Sequence, residues 1–519
     1  MIQPQATRQF WKNGSQGKAG RVLTMIAFCL LLPFIVGAVR TPVTDTGISD
    51  AVEDELKNDM AVPAHRIDVT VENGVVTLEG FVNNILAKER VSRIAGTVKG
   101  VRSVVNTIEV SPSRFRRDYE IRADVKDALL LDPAADSFEI DVAVKRGIVS
   151  LSGDVESQQE KMLCATVAKG VNGVVGVNNR ISVDYPIERK DSEMQAEIEK
   201  GLEWNAYLDA GLIDVAVQDA EVSLSGVVGS YAEKRMARKD AWVHGVEAVQ
   251  IDGLKVERWK RDPELVRHRF IRKDDADVEA ALRDAFLYDP RVAAFEIDPQ
   301  VSDGVVTLRG TVDNVRARRA AAADARCTTG VRLVKNRIDV KPPEQLSDAA
   351  VEKKIRSAFV RDPYVERYEI AIDVDQGVTR LDGFVNNYYE KTRAENLASE
   401  ISGVIAVENA LKVDKQYDPL VYNPYVDMTS PYDYSWYRYA SFYPTRSDAE
   451  IKAEIEDELY WSPFVDDALV DVIVDDGVVT LDGTVASDAQ YEAAESNAYE
   501  GGAVYVDNDL VVVHKTKAH

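Results

Sequence analysis

The sequence predicts an α+β fold of six small tandem domains, each a three-stranded sheet with two helices on one face. The first observation is a ten-residue phrase, NGVVTLEGFV at 73–82, which recurs with few changes at 146–155, 219–228, 303–312, 376–385 and 476–485. The second is its spacing, because successive copies of its second glycine lie 73, 73, 84, 73 and 100 residues apart. That period exceeds the roughly 20–50 residues of a solenoid unit. Each repeat is therefore a domain, and 519 residues suffice for several cores.

Each unit is predicted to open with a helix. In the last copy, Ser447 and Glu450 form a capping box, and Ile451, Ile455 and Leu459 lie on one stripe. Corresponding helices are predicted to begin near Ser49, Asp118, Asp191, Asp274 and Ser347. Several are predicted to stop before a proline, because proline disfavours helical backbone at the preceding residue.

A hairpin, a second helix and a third strand complete the unit. Apolar residues alternate through 67–71, which is typical of a strand with one buried face, and Asn73-Gly74 favours a tight turn into the second strand. Ala87, Val91 and Ala95 lie on one stripe of a helix that Gly100 ends. Residues 104–110 form the third strand.

This pattern resembles the BON domain family (bacterial osmotically inducible and nodulation domain). The resemblance rests on the DGVVTLxGxV hairpin and on the GVxxVxN phrase after the second helix, as at 100–106 and 403–409. It covers about 400 residues in six copies. The third copy departs most, with Ala220 for the turn glycine and Gln250-Ile251 in place of Val-Asn. We expect the third copy to keep the fold, and one alternative is that its hairpin turn differs from that of the other copies. The resemblance implies periplasmic, envelope-stress and phospholipid-binding roles.

The first 40 residues differ from the rest. Basic residues precede an uncharged stretch from 22 to 39, VLTMIAFCLLLPFIVGAV, and no acidic residue occurs before Asp45. This is typical of a secretory signal, but eighteen residues can also just span a bilayer as an uncleaved anchor. Both alternatives predict a chain that lies outside the cytoplasm, either periplasmic or anchored and facing the periplasm.

Charge and cysteine content exclude several classes of protein. The formal net charge of −24 argues against nucleic acid as a partner and against long-range attraction to anionic membranes. Three cysteines without a CxxC pair exclude a disulfide framework. Cys164 falls at the small, buried position of a second helix and is expected in the core.

The sequence carries no motif for catalysis, metal or cofactor. The five histidines fall at unrelated repeat positions, and HExxH, a nucleophile elbow and a calcium loop do not occur. The recurrent glycines lie on a hairpin rather than before a helix, so they do not form a phosphate loop. We therefore predict a protein that is not an enzyme and has no cofactor.

Two segments interrupt the repeat and supply the candidate contact residues. The stretch 258–273 is basic and is interpreted either as a linker docking on acidic neighbours or as a patch for anionic headgroups. The stretch 416–446 is rich in tyrosine and suits an interface with protein or lipid headgroups, or an ordered linker. The candidate lipid or partner contacts are Tyr432, Tyr434, Trp436, Tyr437, Tyr439, Phe442, Trp259, Lys260 and Arg261.

The predicted organisation is a signal peptide or anchor over 1–40, then domains 1 to 6 at 47–112, 118–186, 190–257, 274–342, 346–415 and 447–515. The sequence is compatible with two functions. The first is a non-enzymatic envelope protein that binds phospholipid or envelope proteins and supports envelope integrity or stress tolerance. The alternative is a lipid-independent assembly scaffold formed by contacts between repeats and with partners, and homo-oligomerisation is left open.

Overall fold

The computed structural model describes residues 44–513 except 60, 113–114, 133, 136–139, 186–188, 258–272, 344–345, 366–369, 414–446, 463, 476–477 and 504. Helix, strand, strand, helix and strand follow one another six times along this part of the chain. The predicted α+β fold of six tandem domains is therefore confirmed.

The helices have nearly equal lengths from copy to copy. The first helices are Asp45–Asn58, Asp118–Leu131, Asp191–Trp204, Asp275–Tyr288, Asp348–Arg361 and Asp448–Trp461. The second helices are Ile85–Thr97, Gln158–Lys169, Tyr231–Asp240, Val315–Arg326, Tyr388–Ser399 and Asp488–Glu500. The helix of domain 1 begins at Asp45, ahead of Ser49, because Thr44 caps it by accepting from the amide of Gly47.

The strands repeat with the same regularity. First strands are Ile67–Glu72, Asp141–Lys145, Ile213–Gln218, Ile297–Ser302, Ile370–Asp375 and Val470–Asp475. Second strands are Val75–Val82, Ile148–Val155, Glu221–Val228, Val305–Val312, Val378–Val385 and Val478–Val485. Third strands are Gly176–Val183, Ala248–Val256 and Leu333–Val340, with two-part versions at Ser103–Asn106 and Glu109–Val110, Ala406–Asn409 and Lys412–Val413, and Tyr505–Asn508 and Val511–Val512.

The second strand is the centre of every sheet. It pairs antiparallel with the first strand through the hairpin and parallel with the third strand, which returns after the second helix. In domain 1, Val76, Leu78 and Val82 of the phrase at 73–82 are fully buried, while Val75 is half-buried. The recurrent phrase is thus the core-forming centre of each domain.

An aspartate at the start of the first helix holds the hairpin turn in five domains. The two carboxylate oxygens of Asp348 accept from the amides of Gln376 and Gly377 at 3.1 and 3.0 Å. Asp45, Asp118, Asp191 and Asp275 make the same pair of bonds in domains 1 to 4. Both turn residues have positive φ, as in Gln376 at 50° and Gly377 at 81°. We call this arrangement the aspartate clasp.

The third copy keeps the same turn. Ala220 adopts φ 61° where the other copies have glycine, and its amide donates to Asp191 at 3.1 Å. The alternative of a different hairpin turn is therefore wrong, because the clasp holds alanine in a conformation that ordinarily costs a side chain about 1–2 kcal/mol. The departure lies in the third strand, where the register shifts between Gln250 and Gly253.

The asparagine of the GVxxVxN phrase ties the third strand to the second helix. Asn106 donates to the carbonyl oxygen of Lys88 at 2.8 Å and accepts from the amide of Ile108 at 3.0 Å. Asn179, Asn336, Asn409 and Asn508 make the corresponding bonds. Domain 3 has Ile251 there, and Lys234 reaches the carbonyl oxygen of Leu254 instead, at 2.7 Å.

Each domain has its own hydrophobic core between the sheet and its two helices. Cys164 is completely buried in the core of domain 2, as the sequence predicts. Cys327 ends the second helix of domain 4, and its carbonyl oxygen accepts from the amide of Ala206 in domain 3 at 2.8 Å. Its backbone, rather than its thiol, makes that contact.

The aspartate clasp predicts a local effect of one substitution. Asp348→Ala removes both acceptors, so the amides of Gln376 and Gly377 should exchange hydrogen about tenfold faster, which corresponds to the loss of a net hydrogen-bond contribution. Hydrogen exchange of the full chain measures this. Lys353→Ala, at an exposed site on the same helix, is the control and should leave the turn unchanged. Equal protection of the turn in both variants would contradict the clasp.

Candidate functional site

The six domains pack against one another, so that the candidate site is a set of surfaces rather than a single pocket. Among the described residues, twelve pairs of domains are in contact, and each domain contacts four others. One contact for each pair is Glu89–Lys169, Gly96–Tyr231, Ala61–Tyr364, Lys99–Tyr460, Gln159–Trp242, Asp132–Arg316, Asn172–Arg361, Trp204–Thr329, Tyr207–Ala489, Arg319–Ser399, Arg326–Asp488 and Tyr388–Tyr499. These twelve contacts have the connectivity of an octahedron, in which domains 1 and 4, 2 and 6, and 3 and 5 take opposite vertices.

All nine predicted contact residues lie outside the described residues. Trp259, Lys260 and Arg261 fall in 258–272, and Tyr432, Tyr434, Trp436, Tyr437, Tyr439 and Phe442 fall in 414–446. The last residue of the basic segment is described. The Lys273 ammonium lies 2.7 Å from the carboxylate of Glu203 and 5.0 Å from the ring centroid of Trp204, both on domain 3. This end of the segment therefore docks on an acidic and aromatic neighbour.

Aromatic side chains join domains 1, 5 and 6. Tyr388 stacks on Tyr499 of domain 6 with ring centroids 3.9 Å apart and planes 4° from parallel. The guanidinium of Arg90 in domain 1 lies 4.3 Å from the ring centroid of Tyr389. The hydroxyl of Tyr364 donates to the carbonyl oxygen of Ala61 at 2.9 Å. Burial raises the pKa of Tyr364, so this hydroxyl stays a donor.

A half-buried arginine joins three domains. Arg316 of domain 4 bonds the carboxylate of Asp132 in domain 2 and lies 3.8 Å from the carboxylate of Glu400 in domain 5. Burial alone would lower the pKa of Arg316, but Glu400 and Asp132 raise it above its ordinary value. Asp132 caps the first helix of domain 2, where its other oxygen accepts from the amide of Ala134 at 3.0 Å. The helix cap of one domain is thus the anion that binds another.

Carboxylates converge where domain 1 meets domain 6. Burial raises the pKa of Glu55 well above its usual value, and Glu458, Glu500 and Asp457 add repulsion. Burial likewise raises the pKa of Glu458, whose neighbours include Glu500, Glu454, Asp457 and Asp59. Arg90 and Arg93 act on Glu500 in the opposite sense. This acidic contact is therefore most stable when some of its carboxyl groups are protonated.

The free faces of the sheets point away from the helices, and that of domain 6 carries four exposed apolar side chains beside acidic ones such as Asp471 and Asp482. Ile473, Val478, Tyr505 and Val511 are 55, 41, 59 and 55% exposed. Val478 is directly opposite Tyr505, and Ile473 lies diagonally across from Val478 on the neighbouring strand. We call these four residues the domain 6 sheet face. At the corresponding pair in domain 4, Val305 lies opposite Leu333.

The described residues offer no arrangement for metal chemistry, because no three His, Cys, Asp or Glu side chains among them could hold an ion. No helix in the described part of the chain is long and apolar enough to cross a bilayer. The apolar stretch 22–39 lies outside that part, and so does its assignment as a signal or an anchor.

Comparison with known proteins identifies the repeated unit. The sequence profile of the BON domain matches residues 44–112, 117–185, 190–258, 274–342, 347–415 and 447–514. Osmotically-inducible protein Y of Escherichia coli is 30% identical over 141 residues, which are 26% of this chain and 70% of that protein. Outer membrane lipoprotein DolP of Haemophilus influenzae is 28% identical over 139 residues, 26% of this chain and 72% of that protein. A solved structure of CdsD, a structural protein of the type III secretion system of Chlamydia trachomatis, aligns at 15% sequence identity. The alignment covers 43% of this chain and 98% of the CdsD chain, and its TM-score of 0.12 is too low to support any inference.

The position of Arg316 between domains predicts a large loss of stability when its side chain is removed. Arg316→Ala leaves Asp132 buried without its cation, so the free energy of unfolding should fall by about 3 kcal/mol. Arg318→Ala on the same helix is the control, because this half-buried arginine forms no ion pair within the described part of the chain, and it should cost about 1 kcal/mol or less. Urea denaturation of the full chain compares them. Similar losses for both would contradict the role of Arg316 as a link between domains.

The acidic contact predicts that stability falls as pH rises. The pKa of Glu458 is raised in the folded protein, so the contact is fully stable below the ordinary glutamate pKa and loses stability as pH climbs through the raised value. Glu458→Gln should therefore flatten the decrease in melting temperature as pH rises above the ordinary glutamate pKa. The charged groups facing this contact are Glu55, Asp59, Arg90, Arg93, Glu454, Asp457 and Glu500.

The matched control is Glu456→Gln, an exposed site on the same helix where the carboxylate pairs with Lys452 at 3.6 Å. It should leave the pH dependence of the melting temperature unchanged. An identical slope in the native chain and in Glu458→Gln would contradict the assignment of this pH dependence to the contact between domains 1 and 6.

Proposed function

Because the chain belongs to the BON domain family, we propose that it is a non-enzymatic envelope protein that lies outside the cytoplasm and binds phospholipid or envelope proteins. Its role would be to support envelope integrity under osmotic or related stress. The names of two relatives, one osmotically inducible and one an outer membrane lipoprotein, support this general setting. The observation that carries the proposal is that the domain 6 sheet face stays exposed although domain 6 contacts four other domains, so that it is accessible to a partner.

The contact with lipid or protein is proposed for the domain 6 end of the chain. With a net charge of −24, the chain as a whole is repelled by anionic bilayers, so membrane contact has to be local. The domain 6 sheet face is apolar and exposed, and it belongs to the domain that directly follows the tyrosine-rich segment 416–446. Aromatic side chains with polar tips suit the boundary between headgroups and acyl chains. The nine predicted contact residues remain part of this proposal.

A lipid-independent assembly scaffold is the second candidate. The twelve domain contacts favour it, because repeats that pack on one another need no membrane to be ordered. The free edges of the sheets could also pair with strands of other chains. A large, defined oligomer in detergent-free buffer, together with an absence of liposome binding, would support the scaffold over the lipid-binding protein.

Liposome flotation tests the lipid proposal. The purified chain should float with vesicles, and replacing 417–442 by a Gly/Ser linker of equal length should reduce the floated fraction by more than half. Tyr505→Ser should reduce it further, because the ring supplies exposed apolar area. Leu333→Ser, at the corresponding position of domain 4, is the control and should leave flotation unchanged. Equal flotation of the native and linker-replaced chains would exclude the segment as the lipid site.

A further inference from the structure

A cleft of about 430 Å³ opens where domains 1, 2 and 3 meet. Its lining comes from all three domains: Glu89, Ser92, Arg93 and Val104 from domain 1, Lys169 from domain 2, and Tyr231 and Arg235 from domain 3. The cleft therefore exists only while the second helices of these domains are packed together. Its volume falls in the range of about 300–1,000 Å³ that small-molecule sites have.

The lining of this cleft is positive in a strongly negative chain. It has three cations and one carboxylate, while the whole chain carries a net charge of −24. Glu89 is already paired with Lys169 at 2.5 Å. Arg93 and Arg235 are exposed and form no salt bridge within the described part of the chain. Glu500 of domain 6 exerts an electrostatic influence on Arg93 but does not line the cleft.

Tyr231 fixes the third side of the cleft. It is the first residue of the second helix of domain 3, and its ring packs against the core of domain 1 beside Gly96. A Cβ atom at Gly96 would lie 3.0 Å from this ring, so glycine is what permits the close approach of the two helices. Arg235 follows Tyr231 by one helical turn and therefore lines the same cleft as Arg93.

We propose that this cleft binds a dianionic phosphate group, held between the guanidinium groups of Arg93 and Arg235 with Lys169 beside them. Guanidinium groups bind phosphate oxygens through paired, charge-assisted hydrogen bonds, which suits two arginines that lack carboxylate partners. The phosphate belongs either to a soluble phosphomonoester or to a lipid headgroup, because the same chemistry recognises both. The site does not depend on the lipid contact proposed for domain 6, which involves other residues.

Calorimetric titration of the full chain with inorganic phosphate at pH 7.5 tests the site, in about 150 mM salt to screen diffuse attraction. Binding should be saturable at one site, and Arg93→Gln with Arg235→Gln should weaken it by at least about tenfold. Arg238→Gln, an exposed arginine one turn beyond Arg235, is the matched control and should bind as the native chain does. Unchanged melting temperatures would show that all the variants are folded.

Vesicles of phosphatidylcholine with and without phosphatidic acid identify the source of the phosphate. In one outcome, the native chain binds phosphatidic acid vesicles while the double variant does not, and inorganic phosphate competes for the binding. That result would support the site and assign it to a lipid headgroup. Phosphate binding in solution without vesicle binding would support it and assign a soluble ligand. The absence of saturable phosphate binding would overturn the proposal, and so would equal weakening by Arg238→Gln. Neither result would affect flotation that depends on 417–442.

Discussion

The aspartate clasp is the contact on which domains 1 to 5 depend. The hairpin turn needs two successive residues with positive φ, and their amides point away from the sheet ladder, so they need an acceptor from elsewhere. An aspartate in the first turn of the first helix supplies both acceptor oxygens. The same bonds fix where that helix crosses the sheet. Its other end is then positioned to meet a neighbouring domain.

One contact between domains is built at the far end of a clasped helix, while several others join second helices. Asp132 ends the first helix of domain 2 and binds Arg316 of domain 4, whereas Asp362, which ends the first helix of domain 5, binds Arg393 of its own domain at 2.6 Å. A buried pair of this kind adds little net stability over an apolar contact, but either charge left alone is costly. We infer that the Asp132–Arg316 pair helps to select the correct arrangement among six similar domains. The carboxylates between domains 1 and 6 make one of these contacts sensitive to pH as well.

The fold of each domain could be predicted from the sequence because the residues that determine it lie close together in the chain and recur in six copies. The phrase around Gly80, the turn at Asn73-Gly74 and the stripe on the second helix all act within about 70 residues. The packing of the domains could not, because its residues occur once each and meet across great separations. Lys99 and Tyr460, for example, lie 361 residues apart. The aspartate before proline at position 132 was a usable signal, since it is both a helix cap and the anion of an interdomain pair.

The contact between the first and the last domain is the most direct test that the six domains form one packed body, because a chain of separate domains would not form it. Asn58 of domain 1 hydrogen-bonds Glu454 of domain 6. In a background with Cys29→Ser and Cys327→Ser, the Asn58→Cys/Glu454→Cys variant should be joined intramolecularly by a short thiol-reactive crosslinker. Asn58→Cys/Asp277→Cys, which places the second thiol on domain 4 at the opposite vertex, should not. Equal crosslinking of the two pairs, or none in either, would contradict a single packed body.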